Sequence, residues 1–331
     1  MFIKTPRTGL VGFVGSVTLD VFAALQGVLS LGSKHDCSFD LQLGGGAVNA
    51  ARQAQRLLPH AALFAFVGSD DLSEVVAQKI RHQFPNHVIV PALDETRISV
   101  LFDGTCFTTR PALSVTQLPT ESLAMLSTCE VVVFAPATPA DSQFLLEAMK
   151  SLPDDSHVIL QLSTSQLKDR DSAVKLMGAA DTVVMNEGEA CAFAGRSSPM
   201  AAMQTVYQAC RGDLIVTSTT GVRAIIDAEE ISQPAFRVDD VELTVGAGDV
   251  FVGTFAAGLA LGRSAKRCLS IALGAAALHV MGASCPTELD DIVDEITAAN
   301  GTAKPVRPDA GHLEISTARR GGIANSVTAR R

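Results

Sequence analysis

Short apolar runs rich in β-branched residues recur along the chain, at Leu63 to Val67, Val131 to Phe134, Val158 to Leu162, Thr182 to Met185 and Leu214 to Thr217. Each is followed by a polar turn and then a helix-like stretch. Unbroken apolar strands separated by helices predict a mostly parallel sheet covered on both faces. An earlier run, Gly9 to Gly15, reads as a further core strand. In such folds ligands collect at the carboxyl ends of the strands. Two stretches depart from the pattern, because polar and apolar residues alternate with no helix between them. One is Cys37 to Leu43, and the other covers parts of Arg97 to Thr109 around a turn at Asp103-Gly104. Alternation of this kind predicts antiparallel strands with one exposed face. A small sheet inserted into the main domain accounts for both, and a functionless edge hairpin is the plainer alternative. From about Asn300 the apolar periodicity fades into Gly, Ser, Thr, Ala and paired arginines, so one domain to residue 299 and a flexible tail over 300–331 are expected.

Composition narrows the partners. With 47% hydrophobic residues in 331, the chain can bury a large core, and a formal net charge of −9 disfavours nucleic acid and anionic membranes as partners. Small anions stay open, since a ring of backbone N–H groups binds phosphate whatever the overall charge. The cysteines Cys37, Cys106, Cys129, Cys191, Cys210, Cys268 and Cys285 show no metal-ligand spacing and read as reduced, mostly buried thiols. Lys4 and Arg7 precede too short an apolar stretch for a signal peptide, and no run approaches the roughly 20 apolar residues of a membrane span. A cytoplasmic location is the expectation.

Three segments carry candidate chemistry. In Thr244-Val-Gly-Ala-Gly-Asp-Val-Phe-Val-Gly-Thr-Phe-Ala-Ala-Gly258, a glycine turn runs into a stretch of small residues that reads as a close-packed helix. A helix N-terminus behind such a turn attracts anions. A carboxylate there, Asp249, repels phosphate, so its useful role is to take a proton from an attacking hydroxyl. Read alone, it serves equally well as an N-cap. In Leu43-Gly-Gly-Gly-Ala-Val-Asn49-Ala-Ala-Arg52, Gly44 and Gly45 permit close approach of a ligand, and Asn49 offers a donor and an acceptor to hydroxyl groups. The third segment, Asp181-Thr-Val-Val-Met-Asn186-Glu187-Gly188-Glu189, places polar residues at a strand end. That suits water-mediated magnesium binding or simple helix capping.

Together with Gly15-Ser-Val-Thr-Leu-Asp20, these patterns resemble the ribokinase-like, PfkB-type carbohydrate kinases from about residue 9 to about residue 290. The resemblance implies a three-layer α/β/α ribokinase-like fold with a mostly parallel central sheet and a small β lid, from about 16–43 and 95–112. It implies Asp249 as catalytic base and the N–H groups of Gly246, Ala247 and Gly248 as an anion hole. Asp20, Gly44, Gly45 and Asn49 would bind the acceptor, and Glu189 would organise Mg2+ through water. Asn186, Thr217, Thr219, Gly221 and His279 would border the nucleotide, ATP as co-substrate. In many relatives the lid is also a dimer interface, which implies a homodimer.

Several positions differ from that family. Leu243 replaces an Asp that helps build a monovalent-cation site, with Glu242 one residue early, so potassium independence is expected. The strand ending near Pro136 lacks the polar residue of many sugar kinases, Ser163 stands where Asn is common, Thr219 replaces a Gly, and Gly46 replaces a lysine. A sugar kinase is the leading expectation and a nucleoside kinase its rival. A binding protein without catalysis is a third reading, against which the retained Asp249 argues. No GxGxxG follows the first strand, which disfavours a dehydrogenase.

Overall fold

Strand β1 (Val11–Ser16) is buried along its whole length, because it lies in the middle of the sheet with a helix layer on either side. The computed structural model describes residues 10–25, 32–102, 105–109, 115, 118–136, 142–238, 241 and 244–299. The turn at Asp103-Gly104, Glu242, Leu243 and the tail from 300 lie outside the described residues. Immediately after β1 the chain leaves the sheet as β2 (Thr18–Leu25) and returns along β3 (Cys37–Gly44). It re-enters at β4 (Ala62–Val67) and β5 (His87–Pro91), leaves again as β6 (Arg97–Phe102) and β7 (Thr105–Thr108), and then stays with the main sheet. The remaining strands are β8 (Val131–Ala135), β9 (His157–Gln161), β10 (Thr182–Asn186), β11 (Asp213–Ser218), β12 (Gly221–Ile226) and β13 (Glu229–Pro234).

Among the described residues the main sheet has the order β13-β12-β11-β10-β9-β8-β1-β4-β5. From β5 to β11 all pairings are parallel, and β12 and β13 extend the far edge as an antiparallel hairpin. The period-two alternation of a strand divides each one between two cores. On β4, Leu63, Ala65 and Val67 join one core while Ala62, Phe64 and Phe66 join the other. The first core is completed by α1 (Gly46–Leu57), α2 (Ser73–Gln83), α8 (Ala247–Ala260), α9 (Ala265–Val280) and α10 (Leu289–Ala299). The second is completed by α3 (Thr120–Leu126), α4 (Ser142–Ser151), α5 (Arg170–Met177), α6 (Glu187–Ala194) and α7 (Pro199–Tyr207). This is a three-layer α/β/α arrangement, as expected.

The small-residue stretch after Asp249 does form a buried helix. A Cβ on Gly253 would overlap the Ala50 carbonyl, and one on Gly258 would meet Cys268 Sγ at 2.7 Å, so α8 sits close against both α1 and α9. At the chain's far end Ile292 and Ile296 of α10 are fully buried against α9.

The alternating stretches pair into a separate four-stranded sheet, β3-β2-β6-β7. Two expectations need correction here. The sheet is mixed rather than antiparallel throughout, because β2 and β6 run parallel. Residues 37–42 are exposed on both faces, because β3 projects beyond the helix layers and only Leu43 and Gly44 reach the body. The cross-strand register puts Val21, Leu41, Val100 and Phe107 on one face with Ala23, Phe39 and Phe102, while Asp20, Gln42, Ser99 and Thr108 share the other. Cys37 and Cys106 lie exposed on this sheet, which departs from the expectation of mostly buried thiols.

Candidate active site

Five parallel strands end at one place. Ser16, Ala135, Gln161, Asn186 and Thr217, at or next to the carboxyl ends of β1, β8, β9, β10 and β11, line a cavity of about 350 Å³ together with Asp249. The start of α8 borders it through Gly248 and Asp249, while Gly246 and Ala247 of the preceding turn do not line it. Gly246 takes φ +87, a left-handed conformation that favours glycine, and caps the helix. The Ala247 N–H points back to the Thr244 carbonyl at 3.4 Å, while Gly248 borders the cavity with open space in front of its Cα.

Asp249 follows in the first turn of α8, with an amide donor on each oxygen. Asn49 Nδ2 donates to Oδ2 at 2.9 Å, and Gln161 Nε2 donates to Oδ1 at 2.6 Å. Burial pushes the Asp249 carboxyl above the ordinary carboxylate range, and these two donors together with the nearby His279 pull it back in part. Behind Asn49, Arg52 donates to its Oδ1 at 3.0 Å and to the Leu43 carbonyl at 2.8 Å. This corrects one expectation: the Asn49 carbonyl faces Arg52 and one N–H of its amide is given to Asp249, so its second N–H is what remains for a ligand.

The glycine turn before α1 is shaped by Asp20 and Ser16. A Cβ on Gly44 would overlap the Asp20 carboxylate, and Gly45, at φ +105, would set one 2.5 Å from the Ser16 carbonyl. Asp20 is raised above its usual range by burial, against a hydrogen bond from Ser99 and the charge of Arg52. Across the cavity Asn186 and Glu189 form a capping box on α6, Glu189 N–H to Asn186 Oδ1 at 2.8 Å and Asn186 N–H to Glu189 Oε2 at 2.9 Å. Both also line the cavity, so the capping and ligand readings are compatible. Among the described residues no three His, Cys, Asp or Glu side chains converge as a metal cage.

The fold and this strand-end cavity belong together with a match of the whole domain: residues 10–291 fit the sequence profile of the pfkB family carbohydrate kinases. The chain belongs to that family. Solved structures agree in fold, among them ribokinase from Thermotoga maritima, with 18% identity, TM-score 0.66, and coverage of 87% of this chain and 98% of that one. Ribokinase from Arabidopsis thaliana, complexed with ribose and ATP, gives 18%, 0.67, 87% and 98%. A nucleoside kinase from Methanocaldococcus jannaschii gives 17%, 0.67, 88% and 99%. No curated protein sequence matches the chain.

The family signatures thus meet at one cavity, bringing Asp249, Gly248, Gly45, Asn186, Glu189 and Thr217 to its walls. Other expected residues sit apart from those walls. Thr219 is exposed in the two-residue loop between β11 and β12, and Gly221, at φ +139, is required by the approach of the Gln233 carbonyl. His279 Nε2 donates to the Val245 carbonyl at 2.9 Å, under the glycine turn. Sequence reasoning missed Arg52 and Gln161. Both left a trace: Arg52 follows Asn49 by one helical turn, and Gln161 is the lone polar residue in the apolar run Val158 to Leu162.

Proposed function

We propose that this family member transfers the γ-phosphoryl of ATP to a hydroxyl of a sugar or sugar-like acceptor, with Asp249 as the base. The observation that carries the reading is a carboxylate at the N-terminus of α8, held by two amide donors at the floor of the strand-end cavity. Asp249 takes the hydroxyl proton, and of the expected anion hole at Gly246, Ala247 and Gly248 it is the Gly248 N–H, beside the cavity, that meets the charge on the transferred phosphoryl, since the Ala247 N–H points to the Thr244 carbonyl and Gly246 does not line the cavity. Positioning and charge stabilisation supply most of such catalysis. Asp20 and Asn49 hold the acceptor. Glu189 and Asn186 fit a magnesium ion bound through water, which would neutralise phosphate charge when present. Thr217, at the end of β11, borders the ATP side. A sugar is favoured over a nucleoside because the described residues lining the cavity include no aromatic ring against which a base would stack. Among the described residues no helix is long and apolar enough to cross a membrane, and the free thiols suit the cytoplasm.

Coupled ADP release measured with MgATP across D-ribose, D-fructose, D-gluconate, D-fructose 6-phosphate and adenosine tests the reaction. Saturable release with at least one acceptor is expected. In Asp20→Ala the acceptor KM should rise about 10-fold or more with the ATP KM unchanged, because a half-buried hydrogen-bonding partner is lost from one half of the site only. A collapse of ATP affinity instead would reverse the assignment of the two halves.

The apolar face of the small sheet supports a homodimer formed through the lid. Phe39 and Phe107 are 64% and 62% exposed and share that face with Leu41, a cluster of a kind monomers seldom leave in water. Sedimentation should show a dimer that Phe39→Asp and Phe107→Asp weaken at least about 10-fold, since each buries a charge in an apolar interface. Identical sedimentation of parent and variants would remove the dimer.

A further inference from the structure

Gln161 stands in the cavity without a counterpart in any of the motifs. It ends β9, and its Nε2 donates to Asp249 Oδ1 at 2.6 Å. An ionised carboxylate only accepts hydrogen bonds, so the amide must turn its NH2 toward Asp249 and its carbonyl away. That carbonyl oxygen, Oε1, is buried and has no hydrogen-bond partner among the described residues. A buried acceptor without a donor is costly, and here a donor has room to arrive from the cavity. A Cβ placed on Gly46 would lie 3.6 Å from Gln161 Oε1, 3.4 Å from Asp249 Oδ1 and 3.5 Å from Ala135 Cβ. The carbonyl and the base therefore face one small space, kept open by Gly46 and Ala135.

We propose that Gln161 couples the base to the acceptor: its NH2 orients the Asp249 carboxylate, and its carbonyl accepts a hydrogen bond from an acceptor hydroxyl next to the one that is phosphorylated. This rests on the kinase reading above. The acceptor is then a polyol with neighbouring hydroxyls. The reacting hydroxyl gives its proton to Asp249 as its oxygen bonds to the γ-phosphorus. The bond from that phosphorus to the β,γ-bridging oxygen breaks, and ADP leaves with the electron pair. Besides Gln161, the groups around Asp249 are Asn49 with Arg52 behind it from α1, His279 from α9 and Glu189 from α6, with Arg97 of the small sheet also lining the cavity.

The test compares wild type and Gln161→Met, which keeps the side chain's length but removes its donor and acceptor. D-ribose, D-fructose and adenosine serve as acceptors, each with its monodeoxy analogues. In the wild type one monodeoxy analogue of the active acceptor should lose kcat/KM by about 10-fold or more, beyond the loss of the phosphorylated hydroxyl itself. In Gln161→Met that discrimination should fall toward one. The acid limb of its kcat/KM profile should also move to higher pH, because Asp249 loses a donor that favours its charged form. Unchanged discrimination and an unchanged acid limb in an active Gln161→Met would overturn the inference alone. A wild type that tolerates every non-reacting deoxy position would do the same whether or not the variant folds. No ADP release by the wild type with any acceptor would overturn the kinase reading and this inference with it.

Discussion

Asp249→Asn is expected to lower turnover by at least ~10²-fold, the lower end of what a positioned base contributes, while the melting temperature stays at or above that of the parent. Asparagine has nearly the same shape, so the helix start and the N–H groups around it persist. Its amide offers one acceptor where the carboxylate offered two. Gln161 can answer by flipping, because its Oε1 has no partner to lose. Burial raises the Asp249 carboxyl in the folded state, so at neutral pH its charged form opposes folding. The sign follows from proton counting: between the unfolded and folded pKa values the native state binds more protons, and stability falls as pH rises through that window. A neutral side chain removes this opposition. Steady-state ADP release and calorimetry check both halves, and wild-type turnover in a folded variant would end the assignment of Asp249 as base.

The second large effect is expected at Gly248→Ala, where activity and stability should move in opposite directions. A Cβ at this position meets nothing within 4 Å, so the protein has room for it. Alanine in place of helical glycine stabilises by roughly 0.5–1 kcal/mol. The new methyl, however, stands in the cavity beside Asp249, where the proposed reaction brings the phosphoryl group to the turn. A displacement of about 1 Å costs on the order of 10²-fold in rate. Turnover should therefore drop by about that factor with an unchanged or higher melting temperature. Gly253, one and a half turns further along α8, makes the useful contrast. There a Cβ would strike the Ala50 carbonyl, and the loss would be one of folding rather than of chemistry. Full activity in Gly248→Ala would show that the transferred group passes elsewhere.

The central sheet was legible along the chain because buried parallel strands leave a local trace. Each apolar run from Leu63 to Thr217 lies on an observed strand, shifted by a residue or so at its ends. The helix after Asp249 was legible for the same reason, since close packing against α1 and α9 demands small residues at short intervals. The four motifs could be read as motifs because tight turns and helix starts tolerate few residue types.

Contacts between distant segments had no such trace. Asn49 meets Asp249 across 200 positions, and Gln161 meets it across 88. No local pattern encodes which strand end stands beside which helix start, so nothing in the run from Val158 to Leu162 marked Gln161 as a neighbour of Asp249. The double exposure of β3 was hidden too, because alternation records the two faces of a strand and not whether anything covers them. The apolar and polar positions along this chain determined its layers and the places where the chain turns. Which side chains share the cavity, and which of their atoms remain unpartnered, was decided only when the parallel strands brought five of their ends together.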